Sequence, residues 1–287
     1  MRLLIVGCGD VGMRVAKAMP PGTRLLALTS SPERLAELRQ QGITPLLGNL
    51  DDAKSLRRLA GLGTRILHLA PPPAMGPTDP RIRALLQALR GRSLPLALVY
   101  GSTSGVYGDC TGDWVTETRT VRPATVRALR RVDAERTVRW WGRSTGVRSS
   151  VLRIPGIYAA DRVGGDPRER VRRGTPVLQA SEDVYTNHIH ADDLARACIA
   201  ALWRAAPQRV YHASDDTQMK MGDYLDAVAK IAGLPLPPRI TREVAVKELS
   251  PMSLTFINES RRLDNQRLKT ELRVRLRYPT VLAGLSD

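Results

Sequence analysis

The chain opens with an apolar run that ends in a glycine-rich turn. Residues 3–6 read Leu-Leu-Ile-Val, residues 7–12 read Gly-Cys-Gly-Asp-Val-Gly, and residues 14–18 have the composition of a helix. A buried strand, a Gly-x-Gly-x-x-Gly turn and a helix in this order predict the phosphate-binding entry of a dinucleotide fold. Gly7 permits the tight turn, Gly9 lets a pyrophosphate lie on bare backbone, and Gly12 lets the helix pack close to the strand. The helix N-terminus then offers N–H groups and partial positive charge to the phosphates.

Apolar strand patterns alternate with helical patterns through the first half of the chain. The predicted strands cover residues 3–6, 24–28, 43–47, 65–70, 96–100 and 150–154. Among the helices between them, one is predicted to begin with Ser31 as N-cap and Pro32 in the first position, and another is capped by Asp51. A long helix is predicted from about 123 to 141. This alternation predicts an α/β fold with a doubly wound parallel sheet.

The alternation fades after Ile154. A helix is predicted from about 190 to 203, and residues 209–213 are predicted to form a strand that returns to the main sheet. We therefore expect a dinucleotide-binding domain of the Rossmann type, formed by residues 1–155 with a return of about 186–215. A smaller, interleaved C-terminal lobe, formed by residues 156–185 and 216–287, is expected to bind the substrate.

The net charge of +16 comes mainly from arginine, since only six of the 44 basic residues are lysines. The arginines are scattered along the chain, and aromatic residues make up 4% of it. Nucleic-acid binders usually concentrate charge on one face or interleave it with stacking rings. We therefore expect no dedicated nucleic-acid partner, and an anionic nucleotide or phosphorylated ligand accounts for part of the charge.

The cysteines and the apolar segments indicate the cellular compartment in which the protein is expected. Cys8, Cys110 and Cys198 share no metal-ligand spacing, and their odd number argues against a disulfide framework. We expect no metal site and a reduced, cytoplasmic environment. Cys8 lies in the glycine turn, where a redox-sensing role is the alternative to the simple need for a small residue. The opening apolar run is too short to span a membrane, so no membrane partner is expected.

Several motifs occur in this chain in the same order as in one enzyme superfamily. Besides the glycine turn, they are His-Leu-Ala at 68–70, Ser-Thr-Ser-Gly-Val-Tyr-Gly at 102–108, Leu-Arg-Ile-Pro-Gly-Ile-Tyr at 152–158 and His-Ile-His-Ala-Asp-Asp-Leu-Ala at 188–195. Over nearly its whole length the chain resembles short-chain dehydrogenases/reductases of the extended or atypical type, the group that includes nucleotide-sugar epimerases and dehydratases. The resemblance implies an NAD(P)-binding Rossmann domain. It also makes a homodimer one possible assembly, since relatives often pair through two helices, but the sequence leaves the oligomeric state open.

The chain differs from that family in its glycine spacing and at the two catalytic positions. Extended members usually space their glycines as Gly-x-x-Gly-x-x-Gly, so the spacing at 7, 9 and 12 indicates an atypical subgroup. The family's catalytic tyrosine, followed four residues later by a lysine, is matched here by Arg127 and Arg131. Arg127 is a poor general base because a guanidinium does not deprotonate in proteins. The lost proton shuttle is typically worth about 10²- to 10⁴-fold in rate.

Three residues are the predicted catalytic ones under this resemblance. Thr103 matches the hydroxyl that hydrogen-bonds the reacting oxygen, and Arg131 takes the place of the residue that holds the nicotinamide ribose. Tyr107 is the nearest replacement for the missing tyrosine, and Tyr158 is a second candidate. The alternative for both tyrosines is packing at the interface between the lobes. Two histidines are interpreted as structural, His68 beside the cofactor and His190 as a helix cap.

The end of the second strand bears on the choice of cofactor. NAD-selective folds place a carboxylate about 20 residues beyond the glycine turn, but residues 29–31 read Thr-Ser-Ser. Their hydroxyls and Arg34 suit a 2′-phosphate, so we expect NADP rather than NAD; the alternative is that Ser31 only caps a helix. Asn49 stands where the family commonly has an aspartate near the adenine. The predicted cofactor-binding residues are Gly7, Gly9, Asp10, Val11, Gly12, Thr29, Ser30, Ser31, Arg34, Asn49, Leu69, Ala70 and Pro71.

Two functions are compatible with these features. The first is an NAD(P)-dependent oxidoreductase or epimerase/dehydratase-like enzyme that acts on a small polar or nucleotide-linked substrate. The second is a non-catalytic NADP(H)-binding sensor or scaffold that signals through a protein partner. The nearly complete family architecture favours the enzyme, whereas the loss of the Tyr/Lys pair favours the sensor.

Overall fold

Parallel strands form the central sheet of the computed structural model, which describes residues 1–285. The strands are β1 (Arg2–Val6), β2 (Arg24–Thr29), β3 (Thr44–Leu47), β4 (Arg65–His68), β5 (Ala97–Thr103), β6 (Trp114–Val115), β7 (Arg148–Ile154), β8 (Gly156–Tyr158), β9 (Val177–Leu178), β10 (Tyr185–Thr186), β11 (His188–His190), β12 (Val210–His212), β13 (Met219–Lys220), β14 (Arg239–Ile240) and β15 (Arg262–Leu263). The helices are α1 (Asp10–Ala18), α2 (Arg34–Gln40), α3 (Ala53–Leu56), α4 (Pro80–Leu89), α5 (Val126–Thr145), α6 (Pro167–Arg172), α7 (Ala191–Arg204), α8 (Met221–Ala232), α9 (Arg242–Glu248), α10 (Pro251–Ile257), α11 (Gln266–Thr270) and α12 (Val281–Leu285). Short 3₁₀ turns cover Arg57–Leu59 and Ser104–Tyr107.

The strand order of the central sheet is β12-β7-β5-β4-β1-β2-β3, and its pairings are parallel. The predicted doubly wound α/β fold is therefore confirmed. The chain runs outward from β1 through β2 to β3, and then outward from β4 in the opposite direction. This reversal lies between β1 and β4, and in such sheets ligands bind beyond the carboxyl ends of the strands at that point.

Helices cover both faces of the sheet, which explains why its inner strands are continuously apolar. Successive residues of β1 point to opposite faces. Leu3 and Ile5 join the apolar cluster beneath α1 and α7, whereas Leu4 and Val6 join the cluster beneath α4 and α5. The strand that carries the glycine turn is therefore fixed from both sides.

A further apolar cluster lies outside the sheet and unites segments that are distant in sequence. Val171 of α6, Val177 of β9, Leu225 of α8 and Val281 of α12 belong to it. Two short parallel pairings lie outside the central sheet: β8 pairs with β11, and β6 pairs with β15, which joins a late segment of the chain to the segment after β5. The pairing of β12 with β7 confirms the predicted return of residues 209–213 to the main sheet.

Several predicted element bounds are wrong: β5 ends at Thr103 instead of residue 100, and α5 covers Val126–Thr145 instead of about 123–141. The helix α2 begins at Arg34 rather than Pro32, because Ser31 donates its N–H to Thr29 Oγ1 (3.2 Å) and residues 31–34 form a turn. Asp52 caps α3, since the carboxylate of Asp51 is bound by Arg81. The strand β4 ends at His68 instead of residue 70, because the next two N–H groups both turn to the carbonyl oxygen of residue 6.

The glycine turn touches the segment that follows β4. Gly7 has φ +88°, and a Cβ at this position would lie 2.3 Å from the backbone nitrogen of Ala70. A Cβ at Gly12 would lie 3.3 Å from Ile5 Cγ2, so α1 packs directly on β1. A Cβ at Gly9 would meet no described atom within 4 Å. Gly7 and Gly12 thus serve the fold, while Gly9 leaves open space above the turn.

A buried ion pair connects the sheet to α5. Arg153 of β7 and Glu135 of α5 are 2.7 Å apart, and each side chain is only 5% exposed. Glu135 also accepts a hydrogen bond from Ser102 Oγ of β5 (2.6 Å), and Arg153 donates one to the Tyr107 hydroxyl (2.6 Å). These bonds hold α5 against the carboxyl ends of β5 and β7.

We predict that Gly7→Ala destabilises the protein more than Gly22→Ala does. Both glycines have positive φ, at +88° and +80°, but only Gly7 faces a close backbone neighbour. The left-handed backbone costs about 1–2 kcal/mol in both variants, and overpacking adds about 1–3 kcal/mol at Gly7. Urea denaturation gives the two free energies of unfolding. If both variants lose the same free energy of unfolding, the close approach of Ala70 to Gly7 does not contribute to stability.

We also predict that Glu135→Gln lowers the free energy of unfolding by about 3 kcal/mol, because it leaves the buried Arg153 guanidinium without its counter-charge. Glu243→Gln is the matched control. It breaks the exposed pair with Lys247 on α9, which is expected to cost less than about 0.5 kcal/mol. Thermal or urea unfolding measures both variants, and a similar loss in both would contradict the role given to the buried pair.

Candidate functional site

A cleft of about 270 Å³ opens at the carboxyl ends of β1 and β4, where the winding direction reverses. It runs from the glycine turn past the end of β5 to the segment after β7. The residues that line it are Gly7, Gly9, Asp10, Val11, Gly12, Leu69, Gly101, Ser102, Thr103, Arg127, Arg131, Ile154, Pro155, Ile157, Arg162 and Leu194. The structure thus brings six of the predicted cofactor-binding residues and two of the predicted catalytic residues into one cavity.

The glycine turn forms one end of the cleft. Gly9 is the N-cap residue of α1, has no side chain to cap the helix, and lies at the surface. Open space lies where its Cβ would be. A helix N-terminus with bare backbone in front of it attracts anions, because its N–H groups and the helix dipole carry partial positive charge.

Three aspartates and two arginines surround this helix terminus. Arg14 contacts Asp10 (3.1 Å), Asp161 (2.6 Å) and Asp192 (2.6 Å), and Arg162 contacts Asp10 (3.1 Å). The hydrogen bonds to Asp161 and Asp192 raise the pKa of Arg14 above its usual value, despite the opposing effect of burial. The network holds the segment after β8 against α1, and it neutralises the carboxylate of Asp10 at the mouth of the cleft.

The end of β2 lies beside the same turn. Arg34 donates from Nη1 to the carbonyl oxygen of Cys8 (2.8 Å) and from Nε to Glu37 (3.2 Å). Its guanidinium is therefore held next to the glycine loop. Of the other predicted cofactor residues, Thr29, Ser30, Ser31, Asn49, Ala70 and Pro71 do not line the cavity itself. Burial raises the pKa of the Cys8 thiol to about 11, which disfavours a reactive thiolate.

The opposite end of the cleft is formed by β5 and α5. Thr103 ends β5, and its Oγ1 accepts a hydrogen bond from the Gly105 N–H (3.2 Å). Arg131 donates from Nη1 to Gly101 O (2.7 Å) and to the Tyr100 hydroxyl (3.1 Å). Arg127 lies one helical turn earlier and faces the same space. A hydroxyl and two guanidinium groups therefore line this end of the cleft.

Tyr107 and Tyr158 do not line the cleft. The Tyr107 hydroxyl accepts from Arg153 and contacts His212 Nε2, whose other ring nitrogen contacts the carbonyl oxygen of Asp264 (2.7 Å). Burial raises the pKa of Tyr107 to about 12. The Tyr158 hydroxyl donates to Thr280 O (3.2 Å). Both side chains are buried in the packing arrangement that the sequence offered as the alternative to catalysis.

The two histidines singled out by the sequence have different surroundings. His68 is 1% exposed, lies 5.3 Å from the Tyr100 ring between centroids, and burial lowers its pKa to about 3. His190 Nδ1 accepts the Asp192 N–H (3.2 Å) at the start of α7, so its predicted role as a helix cap is confirmed. The cleft contains neither imidazole in its lining.

A second, outer cavity of about 390 Å³ adjoins the cleft and shares Thr103, Arg127 and Arg162 with it. Its other walls come from the segments around β10 and α10, including Tyr185 and Glu259. Sequence reasoning did not identify Arg162 or this cavity. The proline and glycine residues after Ile154 indicated a loop there, but nothing local showed that it folds back onto α1.

Within residues 1–285, no helix combines the length and the apolar character needed to cross a bilayer. No group of three or more histidine, cysteine, aspartate or glutamate side chains in the same range has the geometry to hold a metal ion.

Comparisons with known proteins agree with this architecture. Residues 82–213 match the model of the NAD dependent epimerase/dehydratase family, and residues 3–65 match that of the TrkA-N domain. No curated protein matches the sequence significantly.

Solved structures extend the likeness to the whole chain. A functionally unknown conserved protein from Silicibacter pomeroyi DSS is 30% identical, with a TM-score of 0.83 over 99% of this chain and 96% of that one. UDP-glucose 4-epimerase from Thermotoga maritima is 18% identical, with a TM-score of 0.80 over 100% and 96%. The dTDP-glucose 4,6-dehydratase DesIV from Streptomyces venezuelae, as a double mutant, is 18% identical, with a TM-score of 0.79 over 100% and 95%. Residues 82–213 therefore belong to the NAD dependent epimerase/dehydratase family, and the whole chain shares its fold with these three solved structures.

Proposed function

We propose that the protein is an NADP(H)-dependent oxidoreductase or epimerase-like enzyme whose active site is the cleft between the glycine turn and Thr103. The observation that carries the proposal is the open backbone at Gly9, which lies at the N-terminus of α1 and at the switch point of the sheet. The pyrophosphate of a dinucleotide can lie against this backbone because no side chain occupies the space in front of it. Leu69 and Gly101 line the path from there to Thr103.

The choice of NADP rests on the charge at the end of β2. Structures of DesIV and of the UDP-glucuronic acid 4-epimerase from Bacillus cereus contain NAD. In this chain residues 29–31 carry only hydroxyls, and the Arg34 guanidinium is anchored beside the glycine loop. Residues 29–31 carry no carboxylate that would repel a 2′-phosphate, and the Arg34 guanidinium, although paired with Glu37 (3.2 Å), supplies positive charge and hydrogen-bond donors beside it.

The chain's own residues define what the site does. The nicotinamide supplies the hydride chemistry when the cofactor is bound. In this proposal, Thr103 donates a hydrogen bond from its hydroxyl to a substrate oxygen, and Arg131 holds the ribose; the fixed position of Arg131 against Gly101 O supports the second role. The outer cavity gives a small polar or nucleotide-linked substrate access to Thr103. The solved epimerase from Thermotoga maritima holds UDP-glucose, which supports a nucleotide-linked substrate.

The alternative is a cofactor-binding sensor without catalysis. The observation that favours it is Arg127, a permanent cation at the position that the family gives to its catalytic tyrosine. Turnover of a broad carbonyl and alcohol panel with NADP(H) separates the two functions. Oxidation or reduction of the cofactor supports the enzyme, whereas tight binding without turnover and the isolation of a protein partner supports the sensor.

We predict that Gly9→Ala weakens nicotinamide nucleotide binding by about 10- to 100-fold, since a methyl group would occupy the path of the pyrophosphate at a cost of about 1–3 kcal/mol. The free energy of unfolding should change by less than about 1 kcal/mol, because Gly9 has an extended backbone and an open side-chain position. Calorimetric titration with NADPH and NADH gives the affinities. If the wild-type protein binds neither nucleotide, the proposed function is overturned.

We predict that Arg34→Gln weakens NADP binding about tenfold and NAD binding much less, because it removes one charged hydrogen-bond donor from the 2′-phosphate. Arg39→Gln is the control, since it makes the same charge change in the last turn of α2. Dissociation constants for both nucleotides, measured at one salt concentration, test this prediction. Tighter binding of NAD than NADP by the wild-type protein would contradict the preference.

A further inference from the structure

The outer cavity contains three arginines in unequal electrostatic environments. Arg162 contacts Asp10 (3.1 Å), and Arg261 contacts Glu259 (2.7 Å). Arg127 has no ion pair and no side-chain hydrogen bond with any other residue in the described range 1–285. Carboxylates therefore compensate two of these charges and leave the third exposed to the cavity.

The residues around Arg127 make the binding of an anion more favourable, because they add positive charge. Its pKa is lowered first by burial and then by the positive charges of Arg131 and Arg130. Arg131, one turn further along α5, is bound only to a carbonyl and a phenol oxygen. Like charges at this helical spacing repel each other, and partial desolvation strengthens the repulsion. An anion bound at Arg127 would relieve both costs.

We propose that Arg127 binds a carboxylate of the substrate at the junction of the cleft and the outer cavity, which makes the substrate a hydroxy or oxo acid. This inference rests on the proposed function of the cleft and names its substrate class. Arg127 and Thr103 line both cavities. The carboxylate would therefore lie next to the oxygen that Thr103 contacts.

The chemistry of the guanidinium favours a carboxylate over other anions. Its planar fork matches the two carboxylate oxygens with two parallel hydrogen bonds. Of the two arginines that line both cavities, Arg162 is paired with Asp10, whereas Arg127 has no carboxylate partner within residues 1–285 and is open to a substrate carboxylate. The glycine turn at the other end of the cleft suits the diphosphate of the cofactor. The two ends of the site would thus bind different anions.

The test compares each acid with a neutral partner of similar shape. Oxalate and oxamide form one pair, and D-glucuronate and D-glucose form another. Calorimetric titrations are made with the NADPH-saturated protein and with the protein alone. We expect the wild-type protein to prefer both acids, and Arg127→Gln to weaken their binding about 10- to 100-fold. Arg127→Lys should restore part of this loss, since it keeps the charge but not the fork.

Arg139→Gln is the matched control, because it removes one exposed arginine from α5 outside both cavities. It should leave the affinities for oxalate and NADPH unchanged. The proposal is overturned if the wild-type protein binds the acids no more tightly than their neutral partners, or if inorganic phosphate binds at Arg127 more tightly than oxalate. It is also overturned if Arg127→Gln lowers the affinity for NADPH and leaves the affinities for the acids unchanged. Absence of NADPH binding in the wild-type protein would overturn the proposed function, while the preference for acids in the protein alone still tests Arg127.

Discussion

The ion pair between Arg153 and Glu135 is the interaction on which the geometry of the site depends. Both groups are almost fully buried, so neither tolerates separation without a large electrostatic cost. The pair fixes the distance between β7 and α5, and the hydrogen bond from Ser102 extends this constraint to β5. Thr103 follows Ser102 directly, and Arg131 lies one turn before Glu135. A charge pair beneath the cleft therefore determines where the hydroxyl and the guanidinium above it stand.

The same pair explains why Tyr107 is a structural residue. Its hydroxyl is bound by Arg153 on one side and by the His212 ring on the other. Burial lowers the pKa of His212 to about 3, so the imidazole is neutral. Its Nδ1–H donates to the carbonyl oxygen of Asp264, and Nε2 therefore accepts a hydrogen bond from the Tyr107 hydroxyl. A tyrosine that donates to a neutral buried base and accepts from a permanent cation has both of its hydrogen-bonding roles filled. Its hydroxyl is not available to a substrate.

Features that depend on neighbouring residues were predictable from the sequence, and features that depend on distant partners were not. The glycine turn, the sheet and the return of β12 follow from local patterns of apolar residues and turns. The start of α3 depends on Arg81, which binds Asp51 from 30 residues away. The location of Tyr107 depends on Arg153 and His212, which are 46 and 105 residues away in sequence. No window of sequence contains these partners, so the alternatives for Tyr107 stayed open until the fold was known. The presence of Arg162 in the cleft lining was unpredictable for the same reason, since Arg162 contacts Asp10, which lies 152 residues away in sequence.

Under the proposed function, the two ends of the cleft place different demands on the chain. The end at the glycine turn would bind phosphate through backbone N–H groups, so it depends on glycine and on the position of α1. The other end would act through side chains, and the resemblance assigns to Arg127 the position that a phenol has in the family. A phenol carries a proton, which is worth about 10²- to 10⁴-fold in rate, whereas a guanidinium only offers fixed charge and donors. Fixed donors aimed at developing negative charge are worth about 3 kcal/mol each. Arg127 therefore suits a reaction in which charge grows on a bound acid, with the proton supplied by another group or by water.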